Sequence, residues 1–130
     1  MKIRLTSVMV EDQARAQRFY TEVLGFKTKL DFPVGDYRWI TVVSPEGGDD
    51  VQLALEPNAN PAAKKFQEAM FAQGIPLAAF ESSDIADECA RLKKRGVAFT
   101  MEPTPAGPVT MAVFADTCGN LIQVYQRTGS

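Results

Sequence analysis

The 130-residue sequence predicts an α+β fold in which two β-α-β-β-β modules form a curved mixed sheet around a cup. Three observations carry that expectation: an order of elements that occurs twice, matched spacings between the punctuating residues, and similar residue types at paired places. Leu5 to Asp12 spans seven positions, as does Leu77 to Asp84. Asp12 to Gly25 spans thirteen and Asp84 to Gly96 twelve, while Gly25 to Gln52 and Gly96 to Gln123 both span 27. "LGF" pairs with "RGV", "TVVSPEGG" with "AVFADTCG", and "DVQLA" with "LIQVY".

The elements follow in order. Residues Lys2 to Val10 are rich in β-branched and long apolar types and read as a strand. Asp12 is a helix N-cap, and Ala16, Phe19, Tyr20, Val23 and Leu24 recur at helical spacing up to a stop at Gly25. Phe26 to Phe32 reads as a strand and Pro33 to Asp36 as a turn. Arg38 to Val43 is strongly β, Ser44 to Asp50 is a loop, and Val51 to Glu56 closes the first half. Pro57 to Pro61 connects to a helix over Ala62 to Gln73, with Phe66, Ala69 and Met70 on one stripe and Gly74 as the stop. Ile75 to Glu81 opens the second half. Asp84 caps a helix with the stripe Ile85, Cys89 and Leu92, ending at Gly96. Val97 to Met101, Val109 to Ala115 and Leu121 to Gln126 supply three more strands, and Pro103, Pro105, Gly107 and Pro108 mark a turn between the first two. One domain over residues 1–130 is expected, its halves 1–57 and 75–130 joined by a connector helix 58–74.

Composition excludes several functions. With 14 basic and 16 acidic residues the formal charge is −2, which argues against nucleic acid or an anionic membrane as partner. The basic run Lys93, Lys94 and Arg95 suits the negative end of a helix dipole. The apolar stretch after Lys2 and Arg4 is too short for a signal peptide, so a soluble cytoplasmic protein is expected. Two cysteines make no disulfide framework. No histidine occurs, which rules out Ser-His-Asp, Cys-His and HExxH chemistry.

A four-stranded sheet with its helix on one face leaves the other face uncovered, so two such sheets must associate. Strand alternation puts Val8 and Val10 on the helix side and leaves Leu5, Ser7 and Met9 facing the cup. By the repeat, Leu77, Ala79 and Glu81 face it from the second half, as do Gln52, Ala54 and Glu56, and Gln123, Tyr125 and Arg127. Third-strand parity stays open: either Arg38 or Trp39 points inward, where the pair could clamp a planar or anionic ligand.

The "VMVED" opening, the "RFYTEVLGF" helix end, "AFESSDI", "RLKKRGVAF" and the closing "DTCGNLIQVYQ" together resemble the vicinal oxygen chelate superfamily. That superfamily includes glyoxalase I, extradiol dioxygenases, fosfomycin-resistance enzymes and bleomycin-resistance proteins. The resemblance covers nearly the whole chain and implies the glyoxalase/bleomycin resistance-like fold. It also implies metal ligands on the first and fourth strands of each half, positions held here by Leu5, Gln52, Leu77 and Gln123. Two leucines and two neutral amides supply no charge to repay a divalent ion's lost hydration, so no metal and no cofactor are expected. Leu5 and Leu77 can be core or ligand contacts. Gln52 and Gln123 can bond each other or a ligand.

Four functions compete. One is a small-organic-molecule-binding protein like the bleomycin-resistance branch, a homodimer by resemblance. The alternative is a metal-dependent glyoxalase-type lyase/isomerase or dioxygenase with other ligands. A third is a metal-free enzyme with Glu56 or Glu81 as base, although pairing to nearby cations is the plainer role for these two. The last is an interaction module.

Overall fold

The computed structural model describes residues 1–48 and 50–128. Asp49, within the expected loop Ser44 to Asp50, and residues 129 and 130 of the expected domain lie outside the described residues. The chain forms two compact units, Met1–Gln67 and Glu68–Ser130.

In the first unit the sheet order is β1-β4-β3-β2, from β1 (Leu5–Val10), β2 (Lys27–Val34), β3 (Tyr37–Val43) and β4 (Gln52–Pro57). β1 runs parallel to β4, and the other neighbours are antiparallel. Helix α1 (Gln13–Arg18) starts where expected, with Asp12 accepting from the Arg15 N–H at 2.9 Å. It then widens into a π-helical turn, Phe19–Val23, in which the Leu24 N–H reaches back to the Phe19 carbonyl at 3.0 Å. The turn carries Phe19 and Tyr20 into the core, where Tyr20 meets Phe19 edge-on and stacks on Phe26. Val8, Val10, Ile40, Val42, Leu53 and Leu55 complete that core.

The second unit repeats the topology as β5-β8-β7-β6, from β5 (Ala78–Glu81), β6 (Phe99–Ala106), β7 (Val109–Ala115) and β8 (Leu121–Arg127). Helix α3 (Ile85–Lys94) buries the expected stripe Ile85, Cys89 and Leu92. It ends at Gly96, whose φ of 86° lets the Val97 N–H reach the Leu92 carbonyl at 3.1 Å. Within the basic run, the Lys93 ammonium lies 5.5 Å from the Phe99 ring centroid and pairs with Glu102.

Four expectations need correction. The turn read at Pro33 to Asp36 is only Gly35–Asp36, because β2 continues to Val34, which pairs with Tyr37. Gly35, at φ 58°, takes the position of a two-residue hairpin that demands positive φ. Likewise, β6 runs through Pro103 and Pro105 to Ala106. Both strands end their own sheets, where a missing N–H interrupts no ladder on the outer side. β6 also changes register between Phe99 and Met101 and again before Thr104.

In the connecting helix α2 (Pro61–Ala72), the expected stripe is not the buried one: Phe66 is 57% exposed and Gln67 is buried. Gln67 repays its burial by donating to the Met9 carbonyl and accepting from the Asn58 amide, both at 2.8 Å. Finally, β5 starts at Ala78. Leu77 sits on a bend behind Pro76, although its N–H donates to the Leu121 carbonyl at 3.0 Å. The repeat therefore holds as topology and not as a gapless register, for Leu5 stands opposite Gln52 but Ala79 opposite Gln123. Among the described residues, no helix is long and apolar enough to cross a membrane.

Candidate functional site

The face of the first sheet opposite α1 carries most of the predicted site residues of that unit. Cross-strand pairs share a face, so the ladders define rows across it. One row is Ser7, Ala54, Thr41 and Leu30. The β1–β4 and β2–β3 ladders set Met9 beside Glu56 and Trp39 beside Phe32. Register carried on from Thr41 and Ala54 places Trp39 across from Glu56, completing a row of Met9, Glu56, Trp39 and Phe32. Leu5 and Gln52 belong to the far end of the same face.

This settles the parity of the third strand. Trp39 is half-buried on the open face, with Phe32 and Tyr37 near it and well exposed. Arg38 points the other way, toward α1. Its Nε and Nη2 donate to the two Asp31 carboxylate oxygens at 3.0 and 2.5 Å, and Nη2 also donates to Gln17 Oε1 at 2.9 Å. Gln17 Nε2 closes the network onto Asp31 at 3.1 Å. The Arg38 guanidinium, then Gln17, hold the Asp31 carboxyl below the usual carboxylate range, and Asp31 in turn raises Arg38. The Arg38–Trp39 clamp is thus corrected: the two neighbours lie on opposite faces, and Arg38 anchors the helix.

Gln52 is half-buried, and its Oε1 accepts from the Thr41 hydroxyl at 2.7 Å. That bond orients the amide and leaves Nε2 as a donor on the face.

A second glutamine shapes the face from behind. The β3–β4 ladder has only two pairs, Thr41 with Ala54 and Val42 with Leu53. Beyond them the Gln13 side chain enters between the strands from α1. Its Nε2 donates to the Arg38 carbonyl at 2.6 Å and the Leu55 carbonyl at 2.8 Å, and its Oε1 accepts from the Arg38 N–H at 3.1 Å. An amide group therefore stands where a direct strand-to-strand bond would otherwise run.

In the second unit, Ala79, Glu81, Gln123, Tyr125 and Arg127 share the face opposite α3, with Val113 and Met111 of β7. Here β7 and β8 pair continuously over seven residues. Glu81 accepts from Arg127 Nε at 2.6 Å, the cation pairing expected of it. Glu56 makes no ion pair among the described residues. Leu77 precedes the strand that was to present it.

Both cysteines are buried. Burial pushes the Cys89 thiol up, and it lies on the apolar stripe of α3. Cys118 is buried in the turn from Asp116 to Asn120, where Asp116 Oδ1 accepts from the Cys118 and Asn120 N–H groups at 2.8 and 3.0 Å. A separate open groove of about 530 Å³ between Lys27–Lys29 and Ser44–Gly48 contains none of the predicted site residues.

Phe32, Thr41 and Gln13 escaped sequence reasoning. The Gly35–Asp36 turn could have found Phe32, since a two-residue hairpin fixes its partner as Trp39. Thr41 follows once that parity is known. For Gln13, no periodic pattern distinguishes an inward amide on the first turn of a helix.

Comparison with known proteins agrees with this architecture. The chain is similar to YurT of Bacillus subtilis (strain 168), 55% identical over 127 residues covering 98% of this chain and all of YurT. It is also similar to YetH of the same organism, 34% identical over 92% of this chain and 93% of YetH. Among solved structures it resembles TnmS3, an antibiotic binding protein from Streptomyces sp. CB03234, with a TM-score of 0.79 and 30% identity over 98% of this chain and 97% of that one. The sequence pattern of the Glyoxalase/Bleomycin resistance protein/Dioxygenase superfamily matches residues 2–124, and the chain belongs to that superfamily.

Proposed function

We propose that this protein binds a small organic molecule on the sheet faces opposite its helices, without a divalent metal. The two units would make one domain over residues 1–130, with halves 1–57 and 75–130 joined by the connector 58–74, and the protein would work as a cytoplasmic homodimer. The observation that carries this reading is the face of the first sheet opposite α1, which carries the Trp39–Phe32 pair and, at its far end, the Gln52 amide oriented by Thr41. Aromatic surface with a few placed polar groups is what small-ligand sites are made of. The antibiotic binding of TnmS3, a structural relative, supports the same reading.

The donor set supports the metal-free part. Leu5 and Leu77 offer no ligand atom, and the Gln52 oxygen is engaged by Thr41. Among the described residues, no group of three or more cysteine, aspartate or glutamate side chains comes together. These residues do not fit a divalent ion, which needs charged or strongly basic donors.

A thermal-shift screen of small aromatic compounds tests the binding function. A stabiliser should emerge whose effect disappears in Trp39→Ala and weakens in Gln52→Ala and Gln123→Ala; a broad library with no Trp39-dependent stabiliser would refute it. Protein incubated with Zn, Ni, Mn and Fe ions and then desalted should retain none stoichiometrically. Ultracentrifugation should show a dimer, and a 14 kDa species alone at high concentration would contradict that.

A further inference from the structure

We propose that the slot between Trp39 and Glu56 receives the cationic group of the ligand, a protonated amine or quaternary ammonium. This rests on the reading of the first sheet's open face as a small-molecule site and names the charge of what it takes.

The slot is a consequence of the Gln13 wedge. From the Thr41–Ala54 pair toward Arg38, the strands are bridged through the Gln13 amide, whose nitrogen donates to one carbonyl on each strand. A direct N–H···O bond would hold those strands at ladder spacing, whereas an interposed amide holds them apart. Trp39 and Glu56 are the residues that follow on the opposite face, across the strands that Gln13 bridges. In the second unit the ladder is closed from Val109 to Ala115, and no such gap exists.

The chemistry around the slot is one-sided. Trp39 and Phe32 present π-faces, which attract cations through their quadrupoles. Glu56 is half-buried and makes no ion pair among the described residues. No positive side chain stands in its row or in the adjacent row of Ser7, Ala54, Thr41 and Leu30. Arg38, the nearest cation in sequence, is held by Asp31 and Gln17 on the other face. Glu81 shows the contrast, since Arg127 neutralises it. A carboxylate flanked by aromatic rings and methionine, with no cation of its own, favours a positive group and repels an anion.

Trp39 is the single tryptophan, so its fluorescence reports on the slot directly. The full chain is titrated with benzyltrimethylammonium, benzyl alcohol and phenylacetate. The ammonium probe should give a saturable change with a Kd about tenfold or more below that of phenylacetate. Added NaCl should weaken the ammonium probe and leave benzyl alcohol unaffected. Glu56→Gln should cost the ammonium probe about tenfold and narrow its lead over benzyl alcohol. Phenylacetate binding as tightly as the cation, a salt-independent ammonium affinity, no saturable ammonium signal, or an unchanged affinity in Glu56→Gln each overturn the proposal. A Trp39-dependent stabiliser that proves anionic would overturn it while leaving the binding function standing. The absence of any Trp39-dependent stabiliser removes both.

Discussion

Replacing Gln13 by Ala removes three hydrogen bonds at once, two from Nε2 to the Arg38 and Leu55 carbonyls and one from the Arg38 N–H. At about 1 kcal/mol net for each, the loss is about 3 kcal/mol, provided the strands stay apart. For a chain of this length that lowers Tm by about 10 °C. If the strands close and recover ladder bonds, the cost falls toward about 1 kcal/mol and the Trp39–Glu56 opening shuts. Urea unfolding of wild type and Gln13→Ala, with amide exchange at Arg38, measures both quantities. Gln13→Glu sharpens the test. A carboxylate there faces two carbonyl oxygens, so its folded pKa is raised above the unfolded value of about 4.3. The native state then binds more protons than the unfolded state across that interval, and stability falls as pH rises through it. Gln13→Glu should therefore lose stability between about pH 4 and neutrality relative to wild type. A loss under about 0.5 kcal/mol in Gln13→Ala, with a pH profile for Gln13→Glu parallel to wild type, would refute the wedge.

Asp116→Ala should cost about 3 kcal/mol in a chemical melt, since the buried carboxylate accepts from the Cys118 and Asn120 N–H groups and from Asn120 Nδ2. A cost below about 1 kcal/mol would show that the turn is held otherwise. Thr117→Gly should raise stability by about 0.5–1 kcal/mol, because Thr117 sits at φ 66°, a region unfavourable to a β-branched residue; a lower Tm would contradict this. The depressed pKa of Asp31, due first to Arg38 and then to Gln17, stabilises the fold above the unfolded carboxyl value of about 3.9. That contribution disappears as pH falls through the lower folded value. Asp31→Asn should flatten the acid limb of the stability profile below about pH 4, and an unchanged limb would argue against the network.

Much of the architecture was legible because local chemistry and tertiary structure agree. Asp12 and Asp84 cap their helices as composition suggested, each accepting from the N–H three residues on. The stripe Ile85, Cys89 and Leu92 is buried, and β7 has the boundaries its sequence announced. The candidate site was less legible. "RWITVV" has apolar residues at both parities, so alternation could not say which face Trp39 takes. The cross-strand register decides it, and the ion pair of Arg38 with Asp31 across the hairpin agrees. The equivalence of Leu77 with Leu5 failed because ladder register is set by cross-strand bonding, which spacing along one chain does not record. The Phe66 stripe failed because Gln67 found two polar partners and took the buried position.

The prolines of β2 and β6 bear on how the chain behaves when crowded. A terminal strand with unpaired N–H groups is a template on which another molecule's backbone can add. Pro33 in one sheet, and Pro103 and Pro105 in the other, remove donors from such strands. The register shifts of β6 make its rim irregular as well. Each sheet thus has one margin that resists growth by strand addition. Phe32 and Val34, exposed on β2, therefore flank the position at which that margin lacks a donor.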